Sequence, residues 1–294
     1  MLSTEGLHLP SSFGSRLQKG FDKYGQLCVG IDPHASLLEE WALEDTVDGL
    51  KSFSFAVLEA AVDRVAVIKP QVSFFERHGS RGFAVLEQLA QKAAESDILV
   101  IMDAKRGDIG TTMDGYFDAW LGKTAPFICD ALTVSPYLGF DSLKDVMSES
   151  LERGKGLFVL AATSNPEGRQ VQRAKTGELS VAADIYSSLE AANKVNVEAS
   201  SRIGSFGAVV GATLNLSAFG LGAIQSDASQ LTPLLAPGFG AQGAKLSDAG
   251  DLFGASAHRL LASVSRSVLS SGSAQIANAI DSAKDELAAG LSHG

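Results

Sequence analysis

Eight short apolar runs rich in Val, Ile and Leu alternate with longer amphipathic stretches along this 294-residue chain, and the alternation predicts an α/β protein closed as a (β/α)8 barrel. Strands separated by helical segments pair in parallel through right-handed crossovers, and eight such units in about 240 residues match a barrel in size. A doubly wound open sheet would usually carry a Gly-rich dinucleotide turn after its first strand. Cys28-Val29-Gly30-Ile31-Asp32-Pro33 is not that fingerprint.

The expected strands are 27–32, 64–69, 98–103, 128–134, 156–162, 207–213, 232–237 and 258–265. The first two end on Asp32 and Lys69. The third, Ile98-Leu99-Val100-Ile101-Met102, gives way to Asp103-Ala104-Lys105-Arg106-Gly107-Asp108-Ile109-Gly110-Thr111-Thr112, so charge follows it instead of a turn. The fifth leads into Thr163-Ser164-Asn165-Pro166, the seventh into Pro237-Gly238-Phe239-Gly240-Ala241-Gln242-Gly243, and the eighth ends at Arg266. Helical periodicity is clear over 83–96, 180–202 and 274–289, the last forming a terminal helix in the tail. Segments 164–179 and 214–230 exceed ordinary βα loops and read as lids, binding loops or surface insertions. No repeat longer than the βα unit and no domain boundary stands out, so a single TIM-barrel domain over 1–294 is expected, with its core at about 25–280.

A hydrophobic content of 45% supplies a large core, and 24 Lys+Arg against 34 Asp+Glu, net −10, argues against nucleic acid or an anionic membrane as partner. Cys28 and Cys129 stand in apolar runs and read as reduced, buried thiols. Residues 1–12 lack the pattern of an export signal, and no run approaches a membrane span, so a cytoplasmic protein is expected. His8, His34, His78, His258 and His293 are scattered without ligand spacing, and no metal site is expected.

In a strand alternate side chains share a face, so Leu99, Ile101, Asp103 and Lys105 project together, and parallel α/β folds place catalysis at the C-terminal strand ends. Taken singly, Asp32 reads equally as a helix cap, Lys69 as a snorkelling side chain, and Asp103 with Lys105 as a structural ion pair. Their conjunction at the ends of three neighbouring strands points to a site of alternating cations and anions, in which Lys69 sits beside Asp103 and Lys105. The place of Asp108 stays open, a helix N-cap being the simpler reading. The Gly-rich loop after strand seven, followed by Arg266, suggests phosphate binding, since glycines admit backbone N–H groups and arginine grips phosphate bidentately. Ser164 reads either as a contact to a polar ring or as the start of a turn.

These residues resemble the orotidine 5'-phosphate decarboxylase family in its longer bacterial form. The resemblance runs from Asp32 to Arg266 and rests on Asp-x-Lys-x-x-Asp-Ile-x-x-Thr at Asp103, Lys105, Asp108, Ile109 and Thr112, on Lys69, and on the Pro-Gly-x-Gly-Ala-Gln-Gly loop. It implies conversion of orotidine 5'-monophosphate to uridine 5'-monophosphate and CO2 without metal or organic cofactor. By the same resemblance Asp32 and Lys69 serve the ribose hydroxyls and the charge network, Asp103 the substrate carboxylate, and Lys105 the protonation of C6. Ser164 would meet the pyrimidine amide edge, Gln242 would link pyrimidine and phosphate beside Gly243, and Arg266 would hold the phosphate. Asp108 and Thr112 would enter the site of a partner subunit, making a homodimer the working unit. The chain departs from the compact form at 164–202 and 214–230, which leaves the lid residues unassigned. Two other readings are a magnesium-dependent sugar-phosphate decarboxylase or aldolase of the same superfamily, which carries an acidic ligand where this chain has Lys69, and a binding-only barrel.

Overall fold

A computed structural model describes residues 10–292. The reading of the first residues as free of an export signal, His8, and the end of the tail at His293 and Gly294 lie outside that range. The expected barrel is present: β1 (Leu27–Ile31), β2 (Val67–Pro70), β3 (Leu99–Arg106), β4 (Ala131–Val134), β5 (Gly156–Ala162), β6 (Phe206–Val210), β7 (Leu234–Pro237) and β8 (Leu260–Val264). They close in the order β1-β8-β7-β6-β5-β4-β3-β2 with every neighbouring pair parallel.

Alternation sorts each strand between two cores. Cys28, Val67, Leu99, Ile101, Ala131 and Phe158 point into the barrel and pack together, whereas Val29, Ile68, Val100, Met102, Leu132 and Val159 face the helices outside. Followed upward, the inward parity runs from Val67 to Lys69, from Ile101 to Asp103 and from Ala131 to Thr133, all three polar residues being buried. The strands thus deliver an apolar plug and, above it, a polar mouth.

A helix that the sequence reading did not anticipate, Phe13–Tyr24, closes the opposite end. Ser12 caps it by accepting from the Ser15 N–H at 3.2 Å. Phe13 and Leu17 are fully buried in the inner core, with Phe13 edge-on to Phe158 at 5.9 Å. Arg16 pairs with Asp130 and donates to the Gly154 carbonyl. Glu198 accepts from the Ser12 N–H at 2.7 Å and the Ser15 hydroxyl at 2.6 Å.

Glu198 also accounts for a difference from expectation. The helix over 180–202 spans only Val181–Asn196, because the chain turns extended at Val197 and brings Glu198 back to the closing helix. The other periodic segments form Gly79–Ala93 and Ile276–Ser292. Segment 164–179 is folded: it holds the helix Gly168–Gln172 and a ribbon pairing Lys175–Thr176 with Leu179–Ser180. Likewise 214–230 contains a 3-10 turn, Leu216–Phe219, and the helix Ala223–Ser226. Both cysteines are free and buried, burial pushing the Cys28 thiol up to about 12; Cys129 lies ahead of β4 instead of in a strand. Among the described residues no helix is long and apolar enough to cross a membrane.

Truncating Phe13 to Ala opens a cavity beneath the barrel and should cost about 3–5 kcal/mol in urea unfolding. A loss below 1 kcal/mol would show that the helix is not part of the cooperative core.

Candidate active site

β3 starts in register with β4, pairing Ile101 with Ala131 and Met102 with Leu132, but the next pair is Arg106 with Val134. Four residues of β3 therefore pass two of β4, a bulge that re-aims side chains. Lys105 sits in it at φ +48°, a left-handed conformation that costs a non-glycine residue about 1–2 kcal/mol. The expectation that the strand stops at Asp103 is thereby corrected: it continues to Arg106. The bulge holds two extra residues of β3, so parity is kept, and Lys105 stands beside Asp103 as expected, its ammonium on the carboxylate.

The outcome is a buried carboxylate with four donors. Asp103 Oδ2 accepts from Lys69 Nζ at 2.8 Å and Gln71 Nε2 at 3.1 Å; Oδ1 accepts from Lys105 Nζ at 2.5 Å and Thr133 Oγ1 at 3.0 Å. A carboxylate offers about four lone-pair directions, so this one is saturated. Burial opposes charge on both Asp103 and Lys69, yet attraction overrides it. Lys69 and Lys105 hold the Asp103 carboxyl well below the usual carboxylate range, while Asp103 and Asp32 hold the Lys69 ammonium above the ordinary lysine value. Lys69 is 6% exposed, and the Lys105 side chain is 45% exposed at the mouth. One ammonium is thus structural in character and the other is presented to solvent.

The remaining expected residues divide into three groups. Asp32 follows β1, and its Oδ1 is buried without a hydrogen-bond partner; it lines a cleft of about 530 Å³ with His34, Ser36, Gln71, Ser73, Phe74 and Arg266. Arg266 does not end the last strand as expected: β8 stops at Val264, and Arg266 opens the short helix Arg266–Leu269. Across the mouth, Ser164 Oγ donates to Gln242 Oε1 at 3.0 Å, joining the loops after β5 and β7. The Gly-rich loop turns through positive φ at Gly238, Gly240 and Gly243, and a Cβ on Gly240 would lie 2.5 Å from that of Ser267. Glycine there lets the loop rest against the helix that Arg266 begins.

Asp108 and Thr112 stand apart. The Asp108 carboxylate accepts from the Ile109 N–H at 2.9 Å, Ile109 is the N-cap of Gly110–Trp120, and Thr112 is exposed on that helix. Asp108 is therefore not the N-cap. Among the described residues it joins no ion pair, so the alternating charge chain within one subunit reduces to Lys69-Asp103-Lys105. Sequence reasoning missed Gln71 and Thr133, although each is two residues beyond an inward-facing position, Lys69 and Ala131. It also passed over His34, whose Nδ1 lies 3.0 Å from Ser36 Oγ and whose ring packs on Phe74. Burial first, then Arg266, lowers the His34 pKa. Among the described residues no cluster of His, Cys, Asp or Glu is placed to hold a metal.

Asp103→Asn would leave the Lys69 ammonium buried beside a neutral amide and should cost about 3–5 kcal/mol at neutral pH. The Asp103 pKa is lower in the folded protein than the unfolded value of about 4, so its stabilisation is present above that pH and is lost as pH falls below it. Urea unfolding between pH 6 and 2.5 should therefore show a steeper acid loss for the parent than for Asp103→Asn; equal slopes would rule out a contribution from this charge.

Residues 25–280 match the model of the orotidine 5'-phosphate decarboxylase / HUMPS family. An orotidine 5'-phosphate decarboxylase of Streptomyces coelicolor is 55% identical over 262 residues, 88% of this chain and 90% of that protein. One from Nocardioides is 48% identical over 258 residues, covering 87% and 91%. The crystal structure of a Streptomyces avermitilis protein, described as a candidate orotidine 5'-phosphate decarboxylase, superposes with a TM-score of 0.89 at 49% identity, over 99% of this chain and 100% of that one. With the barrel and the buried lysine-carboxylate-lysine group already evident, these likenesses establish that the chain belongs to the orotidine 5'-phosphate decarboxylase / HUMPS family.

Proposed function

We propose that this protein decarboxylates orotidine 5'-monophosphate to uridine 5'-monophosphate and CO2, the closing step of UMP synthesis, with no metal or organic cofactor. The observation that carries this reading is the Asp103 carboxylate held between Lys69 and Lys105 at the barrel mouth. Loss of CO2 leaves a carbanion in the plane of the pyrimidine, where the ring π system cannot delocalise it. A fixed ammonium is the device that suits such a centre. Lys105, the more exposed of the two, is assigned to stabilise charge at C6 and then to donate its proton there, while Lys69 keeps Asp103 ionised and in place.

Asp103 is assigned to the substrate carboxylate. Two such charges 4 Å apart repel by about 4 kcal/mol at an effective dielectric near 20, and the repulsion vanishes as neutral CO2 leaves. Since enzymes supply roughly 8–23 kcal/mol, that contact is a minor share, and binding energy from the distant phosphate is the larger resource. Arg266 and the Gln242-Gly243 loop are assigned to the phosphate end, Ser164 to the pyrimidine amide edge, and Asp32 to the ribose hydroxyls. The Ser164-Gln242 hydrogen bond supports grouping the pyrimidine and phosphate contacts, and Asp32 and Arg266 share one cleft.

The same reading makes a homodimer the working unit, with Asp108 and Thr112 entering the partner's site. Supporting it, the loop after β4 is tied to the end of β3, the Ser135 N–H donating to the Arg106 carbonyl, and the loops that follow the two strands expose Ile109 at 60%, Tyr137 at 80% and Leu138 at 53%. Apolar surface of that kind beside an unpaired carboxylate suits a second copy.

With EDTA-treated protein, the ultraviolet absorbance of orotidine 5'-monophosphate should fall as product forms; turnover that appears only when magnesium is restored would favour the metal-dependent sugar-phosphate relatives. Lys105→Ala should abolish turnover while uridine 5'-monophosphate still binds, and substantial residual turnover would remove Lys105 from its role. For the dimer, Lys105→Ala and Asp108→Asn subunits, each inactive alone, should recover about a quarter of parental activity when mixed equally, because half the dimers are mixed and each has one intact site. No recovery after verified exchange would place both residues in one subunit's site.

A further inference from the structure

We propose that Thr133 is a positioning residue of the reaction, fixing Lys105 through its backbone and Asp103 through its carboxylate at the same time; the proposal rests on the decarboxylase reading above. Thr133 is 1% exposed, lies on β4, and stands opposite the β3 bulge, between the pairs Met102-Leu132 and Arg106-Val134. A regular ladder would satisfy the N–H groups of β3 with carbonyls of the neighbouring strand. In the bulge the Lys105 N–H finds a side chain instead, donating to Thr133 Oγ1 at 2.9 Å. The Thr133 hydroxyl donates its own proton to Asp103 Oδ1 at 3.0 Å.

The direction of this relay is unambiguous. A backbone N–H can only donate and an ionised carboxylate can only accept, so the one hydroxyl between them must accept from the first and donate to the second. No proton moves along it. Its effect is geometric: the left-handed backbone of Lys105 is held by the same atom that holds the carboxylate to which its ammonium is bound. The five groups Lys105 N–H, Thr133 OH, Asp103 carboxylate, Lys105 ammonium and Lys69 ammonium therefore form one unit, closed on itself at Lys105. Remove the hydroxyl and the Lys105 N–H is left without its acceptor while Asp103 loses one of four donors, with both lysines still present.

The test is a comparison of Thr133→Val, which keeps the shape and removes the hydroxyl, with Thr133→Ser, which keeps the hydroxyl and removes a methyl. Thr133→Val should lower kcat by about tenfold to a hundredfold with KM for orotidine 5'-monophosphate within threefold of the parent, and Thr133→Ser should restore kcat to within threefold. Melting temperatures, measured alongside, separate misplacement from unfolding; if Thr133→Val does not fold, Thr133→Ala takes its place in the comparison. A folded Thr133→Val within twofold of the parental kcat, or a Thr133→Ser as impaired as Thr133→Val, overturns the proposal. An inactive parent would instead refute the decarboxylase reading. The positioning is then read from deuterium exchange of the Lys105 amide, which should accelerate at least tenfold in Thr133→Val but not in Thr133→Ser, and unchanged exchange refutes it.

Discussion

Asp103 is about nine-tenths buried and ionised, and much of the mouth is arranged around that fact. An isolated carboxylate in such a place would take up a proton rather than bear the cost of desolvation. Four donors from three strands and the turn after β2 prevent it. The dependence is mutual: Lys69 is buried because Asp103 is negative, and Lys105 accepts an unfavourable backbone conformation in a bulge that keeps its ammonium on Asp103. Replacing the group by apolar side chains would be compatible with a barrel, so the arrangement is better understood as a device for placing charge than as a source of stability.

The fold was legible because burial on both faces makes a parallel strand read as a short apolar run, and eight such runs survive every local irregularity. Strand β5 agrees with its expected limits, whereas β4 begins three residues later than expected because Cys129, although apolar and buried, packs before the ladder starts. The closing helix Phe13–Tyr24 was missed although Phe13, Leu17, Phe21 and Tyr24 recur at helical spacing in an otherwise polar segment; what the spacing does not tell is that this apolar stripe plugs a barrel.

At the mouth, parity along the strand located Lys69 and Asp103 without help. It also set Lys105 on the face of Asp103, where its ammonium is found, but nothing in Asp-Ala-Lys-Arg announces the bulge or the left-handed backbone that Lys105 adopts there. Gln71 and Thr133 lay on inward positions in plain sight but are uncharged, and a search for titratable groups passes over the neutral donors that keep such groups in place. Gln242 falls in the loop after β7 as expected, whereas Arg266 opens a helix instead of ending β8, because local geometry there depends on contacts such as Gly240 against Ser267 that join distant parts of the chain.

The closing helix makes the barrel blind-ended. Phe13 and Leu17 fill its floor, and the inward aliphatic side chains occupy the space above, so the described residues leave no passage through the axis. Any molecule held at the mouth entered from above and must leave by the same route. A molecule seated at the mouth therefore blocks the door for the next one until it departs, and arrival and departure take strict turns.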